Sequence, residues 1–354
     1  TSYDLTQATV LQRKKDIEVA LVKLEAIAKA KVLISCDSPA GYYASDMKKS
    51  QAERYWIKYL VRLAELSSER NDLPLAGRCL NLAACIANAG DDEKADFSIV
   101  MRASNATTVE ECLRKMIPAH RQDPMWIEMF NGVLKRLDEP YDYQTYLAIG
   151  HRSSLYYVSL LEKQPTKLED AIRDKETPIP IRFRSYLPRF STASLSRIHE
   201  RFSGVSSRLP TDPYNFKQLQ QAVDYDSHLF SQTGWSYAAL EESATLFEQI
   251  VKTTRREITR RNVLMQAIAI LMAKLDPARG LPLKGRYAID LDDKPVRIKR
   301  LDKGWIVYSI WGDGVDDGGK EIKDGHGDWV VHLSPGTVPP PIDPKKKSSA
   351  MTTP

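Results

Sequence analysis

Residues Trp305-Ile306-Val307-Tyr308-Ser309-Ile310-Trp311 run into Gly312-Asp313-Gly314-Val315-Asp316-Asp317-Gly318-Gly319, and a second apolar run, Trp329-Val330-Val331, follows Gly327-Asp328. Aromatic and β-branched residues favour a pleated strand, while Gly and Asp favour turns, so this text reads as two strands joined by an acidic loop. Alternation puts Ile306, Tyr308 and Ile310 on one face and Trp305, Val307 and Trp311 on the other. Both faces are apolar, which predicts that one covers a helix and the other meets a neighbour.

Working outward, 286–291 and 295–301 also read as strands, with a turn at Asp292-Asp293-Lys294-Pro295. Ahead of them, apolar residues recur at helical spacing through 237–275, which predicts one long helix. The expected unit at 236–335 is therefore a long helix packed on a small antiparallel sheet that ends at the acidic loop.

The loop carries oxygen ligands on a backbone able to turn sharply. Ca²⁺ takes about six to eight oxygens from carboxylates, carbonyls and water. Asp313, Asp316, Asp317, Asp324 and Asp328 are the candidate ligands, and the six glycines between 312 and 327 permit the turns. An EF-hand is excluded: no Glu stands twelfth from Asp313, and strands flank the loop. The alternative is a long polar hairpin whose Asp and Gly serve turn chemistry alone.

The pattern Tyr308-Ser309-x-x-Gly312-Asp313-Gly314-x-x-Asp317-Gly318-Gly319, with Asp328 opening a later strand, resembles the C-terminal calcium loop of the type II secretion major pseudopilins. The resemblance covers roughly 237–333. It implies a bound Ca²⁺, with Asp313, Asp317 and Asp328 where that family places ligands, and life outside the cytoplasm. Two features depart from the family: the apolar segment that opens its long helix is absent, and Trp311 stands where a small residue is usual. The segment therefore reads as a pseudopilin-like module joined to something else.

That something else, 1–235, is expected to be a bundle of antiparallel helices, which makes the fold class mainly α with a small α+β module at the C-terminus. Periodicity predicts helices at 7–34, from about 51 to 66, and at 75–89, 126–137, 143–162 and 216–229. Asn71-Asp72-Leu73-Pro74 reads as a turn with Pro in the first turn of the next helix. Asn105-Ala106-Thr107-Thr108 reads as a break, with Thr108 and Glu111 forming a capping box for a helix to Ile117. The Pro- and Arg-rich stretch 163–213 is expected to be an irregular connection or short helices, either packing over the bundle or offering a partner surface. Residues 336–354, with Pro339-Pro340-Pro341 and three lysines, read as a disordered tail.

Composition narrows the function classes. Charged residues make up 27% and hydrophobic ones 42%, which suits a folded protein, and the net charge of +5 is too small to argue for nucleic acid. No run reaches the roughly 20 apolar residues that cross a bilayer. Because the chain opens at Thr1 rather than Met, membrane association is expected only through an upstream segment missing from it. Cys36, Cys79, Cys85 and Cys112 lack metal-ligand spacing and read as buried thiols, with a Cys36 disulfide to Cys79 or Cys85 as the alternative. The basic stretch Arg255-Arg256-Glu257-Ile258-Thr259-Arg260-Arg261 reads as a solvated face crossed by a Glu257–Arg261 pair, the alternative being contact with phosphates. No nucleophile, P-loop, dinucleotide-binding or His-metal motif is present. The sequence thus reads as a non-catalytic, extracytoplasmic structural or interaction protein that binds a protein partner or itself. A cell-surface hydrolase and a metal-free intracellular helical scaffold are the alternatives.

Overall fold

The computed structural model describes residues 14–30, 42–89, 98–148, 151, 155, 187–231, 238–274, 280–302, 304–310, 314–323 and 326–333. The chain is mostly helical, with one three-stranded antiparallel sheet near its C-terminus, as the sequence predicts. The described α-helices are α1 (Lys14–Ala30), α2 (Tyr42–Glu69), α3 (Leu73–Ala89), α4 (Ser98–His120), α5 (Pro124–Leu137), α6 (Leu187–Ser206), α7 (Phe216–Ser231) and α8 (Ala238–Met272). A 3-10 turn (Gly285–Ala288) precedes strands β1 (Arg297–Leu301), β2 (Gly304–Ser309) and β3 (Trp329–His332), in the order β1-β2-β3.

Local chemistry sets several helix starts. Asp72 accepts a hydrogen bond from the Leu75 N–H at 3.2 Å and opens α3. Asp123 does the same for α5, accepting from the Met125 N–H at 2.9 Å, with Pro124 at the position where a missing N–H does no harm. Spacing of three and four then turns Trp126, Ile127, Phe130, Val133, Leu134 and Leu137 inward.

The apolar interior falls into two cores. The larger gathers α1, α2, α3, α5, most of α4, the C-terminal half of α8 and one face of the sheet through Val307, Trp329 and Val331. The smaller gathers the start of α4 (Ile99, Ala103), Tyr141–Leu147, the end of α6, α7 and the N-terminal half of α8 (Phe247 to Ile258). α8 therefore runs through both, and each core draws residues from before and after the 235/236 boundary expected from the sequence.

Three expectations of secondary structure change. First, α4 has no break at 105–108. The Thr107 and Thr108 hydroxyls donate to the carbonyls of Ala103 (2.8 Å) and Ser104 (3.2 Å), four residues back, so they follow the helix instead of capping a new one. Second, 286–291 is no strand: Gly285 at φ +65° leads into the 3-10 turn, and only an isolated bridge joins Ile289 to Pro295. Third, 187–206 of the Arg-rich connection is one helix of 20 residues, α6, rather than an irregular link or a set of short helices. The helix expected at 143–162 and the tail at 336–354 lie wholly or partly outside the described residues, as does Cys36.

The basic stretch of α8 also departs from expectation. Glu257 and Arg261 do pair, but each is 1% exposed rather than solvated. Arg255 donates to the Asp293 carboxylate at 2.7 Å and Arg260 to the Thr107 hydroxyl at 2.7 Å, so these cations turn inward.

Candidate metal-binding loop

The site is built on a buried carboxylate that sequence reading missed. Asp290, 0% exposed, accepts from the Leu291 N–H (2.6 Å), the Ile310 N–H (3.1 Å) and the Ser309 hydroxyl (2.5 Å), and pairs with Arg297. One side chain thus ties the segment before β1 to the end of β2. Burial pushes the Asp290 carboxyl above its ordinary range, opposed by these donors and by the Arg297 charge.

Arg297 is the hub. Besides Asp290 it binds Asp292 at 2.7 Å and Asp316 at 2.8 Å, so one guanidinium spans three carboxylates from the turn before β1 and from the acidic loop. In the register of β1 on β2, Arg297 faces Tyr308 and Lys299 faces Ile306. Arg297 and Lys299 therefore share one face of the sheet with those residues. The Lys299 ammonium donates to the Gly318 carbonyl at 2.6 Å, and the Tyr308 hydroxyl donates to Asp316 at 3.3 Å. Burial, reinforced by Asp316, pushes the Tyr308 hydroxyl up to about 12.

These bonds lay the acidic loop across the sheet's outer face, where Ile306, Tyr308 and Val330 form their own small cluster. The neighbour expected for that face is thus the chain's own loop. Gly319, at φ +80°, passes so close that a Cβ there would stand 2.2 Å from Ile306 Cδ1, which only glycine avoids. The opposite face packs on α4 and α8. There Trp329 Nε1 donates to Glu111 of α4 at 2.6 Å, while His332, paired with Ile306 in the register, is bridged by Glu321 of the loop (3.0 Å) to Arg114 of α4 (3.7 Å).

Asp316, Asp317 and Asp328 are brought together; Asp313 and Asp324 lie outside the described residues. Their environments differ. Asp316 is committed to Arg297, to Tyr308 and to the Gly318 N–H at 3.0 Å. Burial works against its ionisation, but these partners outweigh burial and hold its carboxyl below the usual range. Asp328 is 1% exposed, accepts from the Gly319 N–H through Oδ2 at 2.6 Å, and its Oδ1 has no hydrogen-bond partner among the described residues. Burial pushes its carboxyl up, and the charges of Asp316 and Asp317 add to that push. The Gly319 and Asp317 N–H groups face the same carboxylate and oppose that rise, and Oδ1 is the Asp328 oxygen left without a partner among the described residues.

Among the described residues no three His, Cys, Asp or Glu side chains converge as metal ligands. A cation here would draw on Asp328 and Asp317 and complete its shell with carbonyls and water. An orphaned buried carboxylate oxygen fits that role, because leaving it unsatisfied costs about 1–3 kcal/mol or more. Sequence comparison gives no family: no family model matches the chain, and no curated protein or solved structure matches it significantly.

Proposed function

We propose that this is a non-catalytic structural or protein-interaction protein working outside the cytoplasm, whose C-terminal sheet is sealed by a Ca²⁺-stabilised loop of the pseudopilin type. One observation carries the metal: Asp328 is buried with an oxygen that nothing in the described chain satisfies, under a loop that also holds Asp316 and Asp317. Ca²⁺ there would neutralise Asp317 and Asp328 and complete what Arg297 and Lys299 begin. Millimolar calcium outside cells fills even weak sites of about 10⁻⁴–10⁻³ M, which fits a loop with few committed ligands. Support for a protein partner or self-assembly comes from α2, where Tyr55 is 74% and Trp56 41% exposed, residue types that anchor interfaces.

A specific observation favours a second reading, a metal-free intracellular scaffold. Arg297 and Lys299 already pin the loop, so it can hold without an ion. Calorimetric titration of the metal-free chain with Ca²⁺ separates the two. The proposal expects saturable binding that Asp328→Asn abolishes while the variant keeps its helical circular dichroism. Absence of binding by the wild type, or equal binding by the variant, sinks the site as drawn.

A further inference from the structure

Where the two apolar cores meet, α4 and α8 face each other through buried charge that the loop does not use. Arg261 of α8, 1% exposed, is approached by three carboxylates: Glu110 of α4 at 3.4 Å, Asp138 at 3.6 Å, and Glu257 one turn back on α8. Two of the three have donors of their own. Asp138 accepts from Arg286 and from the Tyr287 hydroxyl, each at 2.7 Å, and Glu257 accepts from the Tyr141 hydroxyl at 2.9 Å. Glu110 is 0% exposed and its Oε2 has no partner among the described residues. Asp138, 12% exposed, also has Arg286 as a second cation, whereas Glu110 is wholly buried with one oxygen unsatisfied, and a carboxylate so placed loses the solvation of its charged form and favours taking up a proton. The acid with the poorest set of donors is the one that takes it.

We propose that Glu110 is a pH-sensitive latch between α4 and α8 at the level where the two cores meet, protonated while the two helices are docked and ionised when they part. The groups that act on it are Arg260 and Arg261 from α8, Tyr141 from the segment after α5 and Glu111 from its own helix, while Glu257 of α8 and Asp138 after α5 compete for the same Arg261. Burial pushes the Tyr141 hydroxyl up and keeps it neutral, so the group that changes charge here is Glu110. Burial pushes the Glu110 carboxyl up to about 7, against the pull of Arg261 and Arg260. An acid raised in the folded state above its ordinary value of about 4.3 stabilises the fold below that pH. This contribution is lost as pH rises through about 7.

Denaturant unfolding of the full chain from about pH 5 to about pH 8 tests this against Glu110→Gln, which carries no titratable proton. Across that range the Glu110 contribution should raise the wild-type unfolding constant about tenfold or more relative to the variant. Parallel pH profiles for the two proteins would overturn the latch. Should the variant fail to fold, infrared spectroscopy of the wild type decides. A protonated-carboxyl band that disappears as pH rises through neutrality supports the proposal, and its absence at every pH in the window overturns it.

Discussion

Asp290 shows how one side chain can hold a small sheet. Its carboxylate collects two backbone N–H groups, the Ser309 hydroxyl and the Arg297 guanidinium at zero exposure. Breaking a buried ion pair from one side is expensive, so Asp290→Ala is expected to lower stability by about 3–5 kcal/mol. Ser309→Ala, which removes one donor, should lose only about 1 kcal/mol. Denaturant midpoints measure both, and equal losses would contradict the ranking. Acid should reach the same network through Asp292 and Asp316. Burial opposes the ionisation of both, yet Arg297 and nearby N–H donors hold both carboxyls below the usual range. Their stabilisation is therefore complete above the ordinary carboxylate value of about 3.9 and is lost as pH falls through the depressed folded values. Arg297→Met should move acid unfolding to higher pH, and an unchanged acid midpoint would remove Arg297 from the hub.

Among the elements, those legible in the sequence carry their own signal. β2 and β3 are dense in aromatic and β-branched residues, and α5 repeats apolar residues at three and four behind an Asp-Pro start. Elements that escaped depend on contacts far along the chain. Asn105 to Thr108 looks like a helix stop in isolation. Yet Ala103, Ala106 and Val109 are almost wholly buried, and that packing carries α4 straight through. The acidic half of the candidate site was readable because its Asp and Gly residues are adjacent in sequence. Its basic half was not: Arg297 meets Asp316 nineteen residues on, only because of the β1–β2 register and the fold-back of the loop. The period-two run Arg297, Lys299, Leu301 was the one available hint. Two glycines offer a test of element packing. A Cβ on Gly204 of α6 would stand 2.3 Å from the Tyr225 hydroxyl oxygen of α7, whereas one on Gly132 of α5 would meet nothing within 4 Å. Gly204→Ala is expected to destabilise by about 1–3 kcal/mol through overpacking. Gly132→Ala should stabilise by up to about 1 kcal/mol through helix propensity. Opposite shifts in thermal midpoint bear this out, and two shifts of the same sign contradict it.

At the scale of the whole molecule, α8, like α4, belongs to both cores. About 50 Å long at 1.5 Å per residue, it lends its first half to one core and its second to the other, where the sheet packs. The sheet is also tied to α4 through Trp329 and Glu111, so order in the acidic loop is coupled to the helical body. A ligand that binds only the folded loop then stabilises everything cooperative with it, by an amount that grows with ligand concentration over its dissociation constant. The most direct measurement is therefore thermal unfolding of the chain in EDTA and in a few millimolar Ca²⁺, with Mg²⁺ as the control, a range chosen to fill sites of about 10⁻⁴–10⁻³ M. The account predicts a midpoint several degrees higher in Ca²⁺ alone, and no such rise in Asp328→Asn. An identical midpoint in all three conditions would contradict it and leave the loop a polar cover held by Arg297 and Lys299.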